Sequence, residues 1–292
     1  MPTIDTLVQD QTSTPKKTIE SLVVDIQDLL VKGVTFTDDE EKALGHKIAQ
    51  SIHDSLGEYE RKPGLRMSKF GTPCERKLWY QDHPNEGGDT EPLPAAARLK
   101  FAYGHILEAV ILELAKKAGH TVEKEQDTVE FCGVPGHIDA VIDGELVDVK
   151  TANARGFEKF RYHKLEHDDP FGYLDQQNLY YRALGLQTGR FHFLAIDKEL
   201  GHICLDTYKV DEKRDMEKEV IAKQLMLSNP QPPRRLADVP MGKSGNMELD
   251  LPCRYCEFKK TCWPGLRVFG YSNGPKFLTK VAKQPDVPEL TS

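Results

Sequence analysis

The residues most able to do chemistry stand together in GHIDAVIDGELVDVKTAN, positions 136–153. Alternate side chains of a strand share a face, so Asp148 and Lys150 point one way while Val147 and Val149 point the other. Asp143-Gly144 is a favoured hairpin turn, and it folds Asp139 on the preceding strand back towards them. Hard divalent cations take oxygen ligands, often one or two carboxylates plus substrate phosphates. Asp139 and Asp148 therefore read as candidate ligands for Mg²⁺ or Mn²⁺, and Lys150 as a group to orient water or steady charge on a phosphate. A solvent-facing strand of mixed charge fits the same pattern. Upstream, Phe101, Gly104, Glu108, Ile111, Leu112 and Ala115 fall on one helical stripe in FAYGHILEAVILEL. Glu108 is thus a carboxylate on a mostly apolar stripe, an expensive position unless it is paired or binds a metal. His105 beside it is a further donor to a metal or to DNA, though a satisfied imidazole is the commoner role. In YLDQQNLYYRAL, Gln176 and Tyr180 share a helix face and can donate hydrogen bonds to a phosphate. Gln177 and Tyr181 have the same spacing.

A second cluster lies near the end of the sequence, in LPCRYCEFKKTCWPG, with Cys253, Cys256 and Cys262. Three thiols so close suggest a metal centre that needs a fourth ligand, and Cys74 in the basic segment TPCERKLWY is the available donor. Cys₄ zinc sites usually arrive as two Cys-x-x-Cys pairs, which is not the spacing here. Cys132 and Cys204 read as buried core thiols. Among the nearby aromatics, Tyr80, Trp79, Tyr255 and Trp263 could stack on unpaired bases, with packing the commoner role for Trp79 and Trp263.

The elements that must position these groups can be read from periodicity. Leu44, Ile48, Ile52 and Leu56 mark a helix from Asp38 to Leu56, and a second helix runs from Ala95 to Ala118 before Gly119. Strands follow at His120–Phe131, Gly136–Ile142 and Glu145–Thr151, then a helix at Gly172–Leu184. Strands near Arg190–Ile196 and His202–Val210 and a helix at Glu212–Leu227 complete the series. The order implies one mixed α/β unit with helices packed on a central sheet. Residues 1–18 read as a disordered tail, 19–94 as a helical region carrying Cys74, 95–228 as the central core, and 229–292 as a loop-rich region holding the cysteine cluster.

With 292 residues, 39% apolar and 29% charged, the chain can bury a sizeable core. It has no apolar run long enough for a transmembrane helix. No secretory pattern opens it, so six cysteines point to a reducing cytoplasm, as in bacteria or a phage-infected host. A net charge of −7 argues by itself against a nucleic-acid partner. Cations nonetheless concentrate in two stretches: Arg61, Lys62, Arg66, Lys69, Arg76 and Lys77, then Lys150, Arg155, Lys159, Arg161 and Lys164. Two basic stretches flanking an acidic motif suit a groove that follows a phosphate backbone.

In order along the chain, GHILE, GHIDA, DVK and QQNLYY resemble the PD-(D/E)XK nuclease superfamily, in particular its RecB-like and phage-exonuclease branch. The motifs span residues 104–181. The resemblance implies a restriction-endonuclease-like αβββαβ core with Glu108, Asp139, Asp148, Lys150, Gln176 and Tyr180 as catalytic residues. It places Mg²⁺ or Mn²⁺ on Glu108, Asp139, Asp148 and the Val149 carbonyl, with His105 as an additional candidate. It also implies hydrolysis of DNA, most readily by an exonuclease. One distant cysteine with a C-x₂-C-x₅-C triplet resembles the 4Fe–4S staple of the iron–sulfur branch, which includes CRISPR-associated nucleases. On that pattern Cys74, Cys253, Cys256 and Cys262 hold the cluster and join early and late segments, with zinc as the lesser alternative. Arg76, Lys77, Arg155 and Lys159 are then expected DNA contacts. No phosphate-loop motif of a helicase occurs, so a helicase, recombinase or CRISPR partner is the expected source of DNA ends. A non-catalytic DNA-binding or assembly factor on the same scaffold is the alternative.

Overall fold

The computed structural model describes residues 17–57, 63–88 and 94–290. The expected disordered tail falls almost wholly outside these residues, as do Arg61 and Lys62 of the first basic stretch. The chain opens with α1 (Leu22–Lys32), α2 (Asp38–Leu56), the short α3 (Met67–Phe70) and α4 (Glu75–Asp82), and the long α5 (Ala95–Lys117). Strands β1 (Val122–Glu123), β2 (Thr128–Phe131), β3 (Val134–His137), β4 (Ala140–Ile142) and β5 (Glu145–Ala152) follow. After α6 (Ala154–Arg161) and α7 (Tyr173–Leu184) come β6 (Arg190–Asp197), β7 (Ile203–Lys209) and α8 (Met216–Leu227). The last part holds β8 (Val239–Pro240), β9 (Met247–Glu248), α9 (Leu251–Arg254), α10 (Lys259–Cys262), β10 (Arg267–Tyr271) and β11 (Gly274–Lys280).

The central sheet has the order β1-β4-β5-β6-β7. Neighbours run antiparallel except β5 and β6, which are parallel, with Asp148 beside Phe193 and Lys150 beside Ala195. A parallel pair needs a crossover, and α6 and α7 supply it. The sequence of elements α5, β1, β4, β5, crossover helices and β6 reproduces the expected αβββαβ order, with the β2–β3 hairpin inserted between its first two strands.

Period-two alternation gives the sheet two apolar faces. Val147, Val149, Leu194 and Ile196 pack against Leu22 and Ile26 of α1 and Ile111, Leu112 and Ala115 of α5. Leu146, Phe191, Phe193 and Ala195 face Phe157 and Phe160 of α6, Tyr180 of α7 and Val220 of α8. The molecule is therefore a mixed α/β sandwich of helix, sheet and helix. Asp148 and Lys150 share the β5 face of Leu146, so they project towards α6 and α7.

The helix over Asp38–Leu56 has the expected bounds and begins with a reciprocal cap between Thr37 and Glu40. Asp143 and Gly144, at φ 53° and 85°, form the expected two-residue turn between β4 and β5. Other expectations change. The strand expected over Gly136–Ile142 breaks at Ile138 and Asp139, because β3 turns away to pair with β2 while β4 pairs with β5. Cys132 is exposed in the β2–β3 turn rather than buried. The region after residue 229 is not merely loop: β8 to β11 form a four-stranded antiparallel sheet in the order β10-β11-β9-β8. Its short strands are interrupted by the cysteine-bearing helices, which hides any long alternation from a reading by periodicity. No helix of the described residues is long and apolar enough to cross a membrane.

Candidate active site and thiol cluster

The break between β3 and β4 gives Asp139 its role. The β4–β5 ladder runs from Ile142↔Glu145 to Ala140↔Val147. Beyond it the Val149 N–H donates to Asp139 Oδ2 at 2.7 Å, so a carboxylate takes over where the strand has left. Asp148 is 3% exposed on the adjoining face of β5. Its Oδ1 accepts from Gln177 Nε2 of α7 at 2.8 Å, and its Oδ2 lies against the Lys150 ammonium. Lys150 in turn sits 4.8 Å from the centre of the Tyr173 ring, at the first turn of α7. Glu108 arrives from α5 on the opposite layer. Its carboxylate accepts from Gln126 Nε2 and stands 3.7 Å from His105 Nδ1.

Close approach of the layers depends on two glycines from the sequence motifs. A Cβ at Gly136 would lie 2.5 Å from a Tyr180 ring carbon and 2.8 Å from Met67 Cβ. One at Gly104 would lie 3.3 Å from Thr151 Oγ1, where α5 crosses the end of β5. Glu108 can therefore reach a group that otherwise belongs to the other face of the sheet.

The electrostatics follow from crowding like charges in a poorly solvated place. Burial pushes the Asp139 carboxyl well above the usual range, and Asp148 and Glu108 push it further. Burial likewise raises Asp148; Lys150 opposes that shift and Glu108 adds to it. Burial works against the charge of Lys150, but Asp148 and Asp139 outweigh it and hold the ammonium protonated. Lys150 is consequently a donor and a positive charge, not a base. Tyr180 is pushed up to about 12 by burial and by the two aspartates.

Glu108, Asp139, Asp148, Lys150 and Tyr180 thus come together, the middle three as the hairpin spacing suggested and the other two as the resemblance implied. Gln176 does not reach the aspartates: it hydrogen-bonds Tyr180, while the neighbouring Gln177, 1% exposed, contacts Asp148. The identical spacing of Gln177 and Tyr181 left both registers open, and only the rotation of α7 against β5 separates them. Gln126 and Tyr173 carried no sequence signal, since both reach the site from turns or helix starts distant in the chain. Phe101, expected on the buried stripe of α5, is 53% exposed, because that end of the helix extends past the sheet.

The residues fit a divalent ion on the chemistry of the donors. Asp148 and Glu108 oppose the ionisation of Asp139, Glu108 opposes that of Asp148, and the buried Gln177 Oε1 has no hydrogen-bond partner. The four expected cysteines also meet. Cys74, at the start of α4, lines one small cavity with Cys253, Cys256 and Cys262. Burial first, and the neighbouring thiols second, push Cys253 up to about 12. Burial raises Cys256 to about 11, against the hydrogen bond from the Phe258 backbone and the charge of Lys77. Arg76 hydrogen-bonds Cys262 and donates to the Pro233 carbonyl at 2.5 Å, and Arg235 lies 3.7 Å from the Trp263 ring centre. Buried thiols ringed by cations suit an anionic metal–sulfur group, which would ionise them outright. Among the described residues, no three His, Cys, Asp or Glu side chains are already closed to the spacing of an ion's ligands.

The expected DNA contacts divide. Arg155 is exposed on α6. Lys159 pairs with Asp168 at 2.7 Å, and Arg76 and Lys77 turn inward to the thiols. Trp79 is buried and donates to the Asn229 carbonyl at 2.7 Å, whereas Tyr255 is 74% exposed.

No family model matches the chain, and no curated protein matches it significantly. Among solved structures, the chain is similar to SSO0001, at 15% identity and a TM-score of 0.38 over 75% of this chain and 95% of that one. It is also similar to an alkaline exonuclease from Laribacter hongkongensis, at 19% identity and a TM-score of 0.40 over 61% and 92%. A phage-related exonuclease from Haemophilus somnus 129PT follows at 12% identity and 0.30 over 71% and 91%. Likeness at these TM-scores does not decide what this chain acts on; its own side chains must.

Proposed function

We propose that the chain is a metal-dependent DNA nuclease of the PD-(D/E)XK type, acting as an exonuclease. The observation that carries this reading is the meeting of Glu108 from α5, Asp139 from the β3–β4 break, and Asp148 and Lys150 from β5. Glu108, Asp139, Asp148 and the Val149 carbonyl would hold Mg²⁺ or Mn²⁺. In such a donor set the ion supplies neutralisation of phosphate charge and activation of water. Lys150, kept protonated by its two aspartates, donates to the attacking water or to a phosphate oxygen. Gln177 holds Asp148 by one oxygen and leaves the other towards Lys150. Arg155, exposed just beyond β5, would meet the phosphate backbone. The thiol cluster would hold a 4Fe–4S group, or zinc as the lesser alternative, remote from hydrolysis. DNA ends would come from a helicase, recombinase or CRISPR partner.

The deciding experiment is degradation of end-labelled linear DNA by anaerobically purified protein with Mg²⁺ or Mn²⁺, with EDTA as control. Asp148→Asn keeps the shape and the Gln177 hydrogen bond, and should lower the rate at least about a hundredfold. Comparing 5′ and 3′ labels gives the polarity. Folded, metal-loaded wild type that binds DNA without cutting it would instead favour a non-catalytic binding factor.

A further inference from the structure

Gln126 lies in the link between β1 and β2, at φ +55°, two residues after Lys124 at φ +53°. Left-handed backbone is uncommon for residues other than glycine, and two cases in three residues mark a link held by specific contacts. The contacts are visible. The Gln126 N–H donates to the Asp139 carbonyl at 3.1 Å, while its side-chain amide donates to Glu108 Oε1. A second bond, from the Ile138 N–H to the Asp127 carbonyl at 3.1 Å, binds the same link to the β3–β4 break. One residue thus grips the backbone of one carboxylate and the side chain of another, although Glu108 comes from a helix and Asp139 from the sheet on which it packs. Each of the three carboxylates then has one neutral amide donor: Gln126 for Glu108, the Val149 N–H for Asp139 and Gln177 for Asp148.

We infer that Gln126 is a positioning residue that sets the separation of Glu108 from Asp139 and so tunes the divalent-ion site; this rests on the nuclease reading above. A neutral donor is what this position requires. It fixes one carboxylate oxygen without neutralising it, as a lysine would, while the other oxygen faces His105 Nδ1 at 3.7 Å. Residues that orient metal ligands in this manner typically change metal affinity about 10- to 100-fold when removed.

The test uses Gln126→Gly, which removes the side chain, retains the N–H to Asp139 and suits positive φ. A double-mutant cycle with Glu108→Ala, read by denaturant unfolding without metal, should show the two changes to be non-additive by roughly three- to tenfold in the unfolding equilibrium. Additive effects would overturn the inference. Calorimetric titration of Mn²⁺ should show affinity weakened about tenfold or more in Gln126→Gly, and likewise in Gln126→Met, which keeps the size of the side chain but has no donor. Unchanged affinity in both variants would also overturn it. Wild type that binds no Mn²⁺ would defeat the nuclease reading, and the metal-free cycle would still decide whether Gln126 holds Glu108.

Discussion

Asp139 and Asp148 are destabilised as anions by their own site, and this has a direct pH consequence. A carboxyl whose folded pKa lies above its unfolded value binds more protons folded than unfolded. Its contribution is greatest below the ordinary aspartate range, and stability is lost as pH rises from about 4 through the raised pKa. Glu20 and Glu40, both held near 2 chiefly by backbone hydrogen bonds, act in the opposite sense and at lower pH. Metal-free wild type should therefore lose melting temperature relative to Asp139→Asn as pH rises from about 4 through the raised pKa, and saturating Mn²⁺ should recover it. Parallel melting curves for the two proteins over that range would count against a strained carboxylate pair. Lys150→Ala is expected to cost stability as well as activity, about 3–5 kcal/mol, because it leaves Asp148 buried without its cation. Denaturant titration beside a DNA-cleavage assay separates the two losses.

At the scale of elements, the site depends on how closely α7 approaches the β3–β4 break. Gly136 permits that approach, since any Cβ there meets Tyr180 and Met67. Gly136→Ala should destabilise the fold by about 1–3 kcal/mol and displace Asp139, with a fall in cleavage larger than the stability loss explains. A variant as stable and active as wild type would show that the two layers can separate without harm. The amphipathic α6 serves the same end differently. Phe157 and Phe160 anchor it in the core, so Arg155 is carried on a rigid support beside the end of β5.

For the whole molecule, the thiol cluster matters because it joins segments far apart in sequence. A metal–sulfur group bound to Cys74 and Cys253 would close a loop of roughly 180 residues, and such a closure would remove about 5 kcal/mol of entropy from the unfolded chain. It also seats α4, whose Trp79 and Tyr80 pack into the main core, against the late helices. If the thiols hold the proposed 4Fe–4S group, Cys253→Ser should lower folded yield and abolish the brown colour and acid-labile sulfide of the wild type. Iron and sulfide analysis with absorbance spectroscopy checks this, and zinc in place of iron would select the alternative metal. An equally stable, colourless wild type would remove the staple from the account.

The residue types, their order and the two periodicities were legible without any structure. Alternation determined the faces of β5, hence that Asp148 and Lys150 act together while Val147 and Val149 build the core. The Asp143-Gly144 turn determined the hairpin, because few other dipeptides accept two positive φ angles cheaply. Cysteine spacing suggested a fourth thiol for the late triplet, and Cys74 lines one cavity with it. Tertiary structure alone decided the remainder, since it depends on how elements rotate and where they end. The turn of α7 about its axis chose Gln177 over Gln176 for Asp148. Competition between two sheets for one strand broke β3 from β4 and freed Asp139 to accept from Val149. Long-range packing brought Gln126 and Tyr173 to the site and turned Arg76 and Lys77 inward, because contacts between distant segments leave no period or local spacing in the chain.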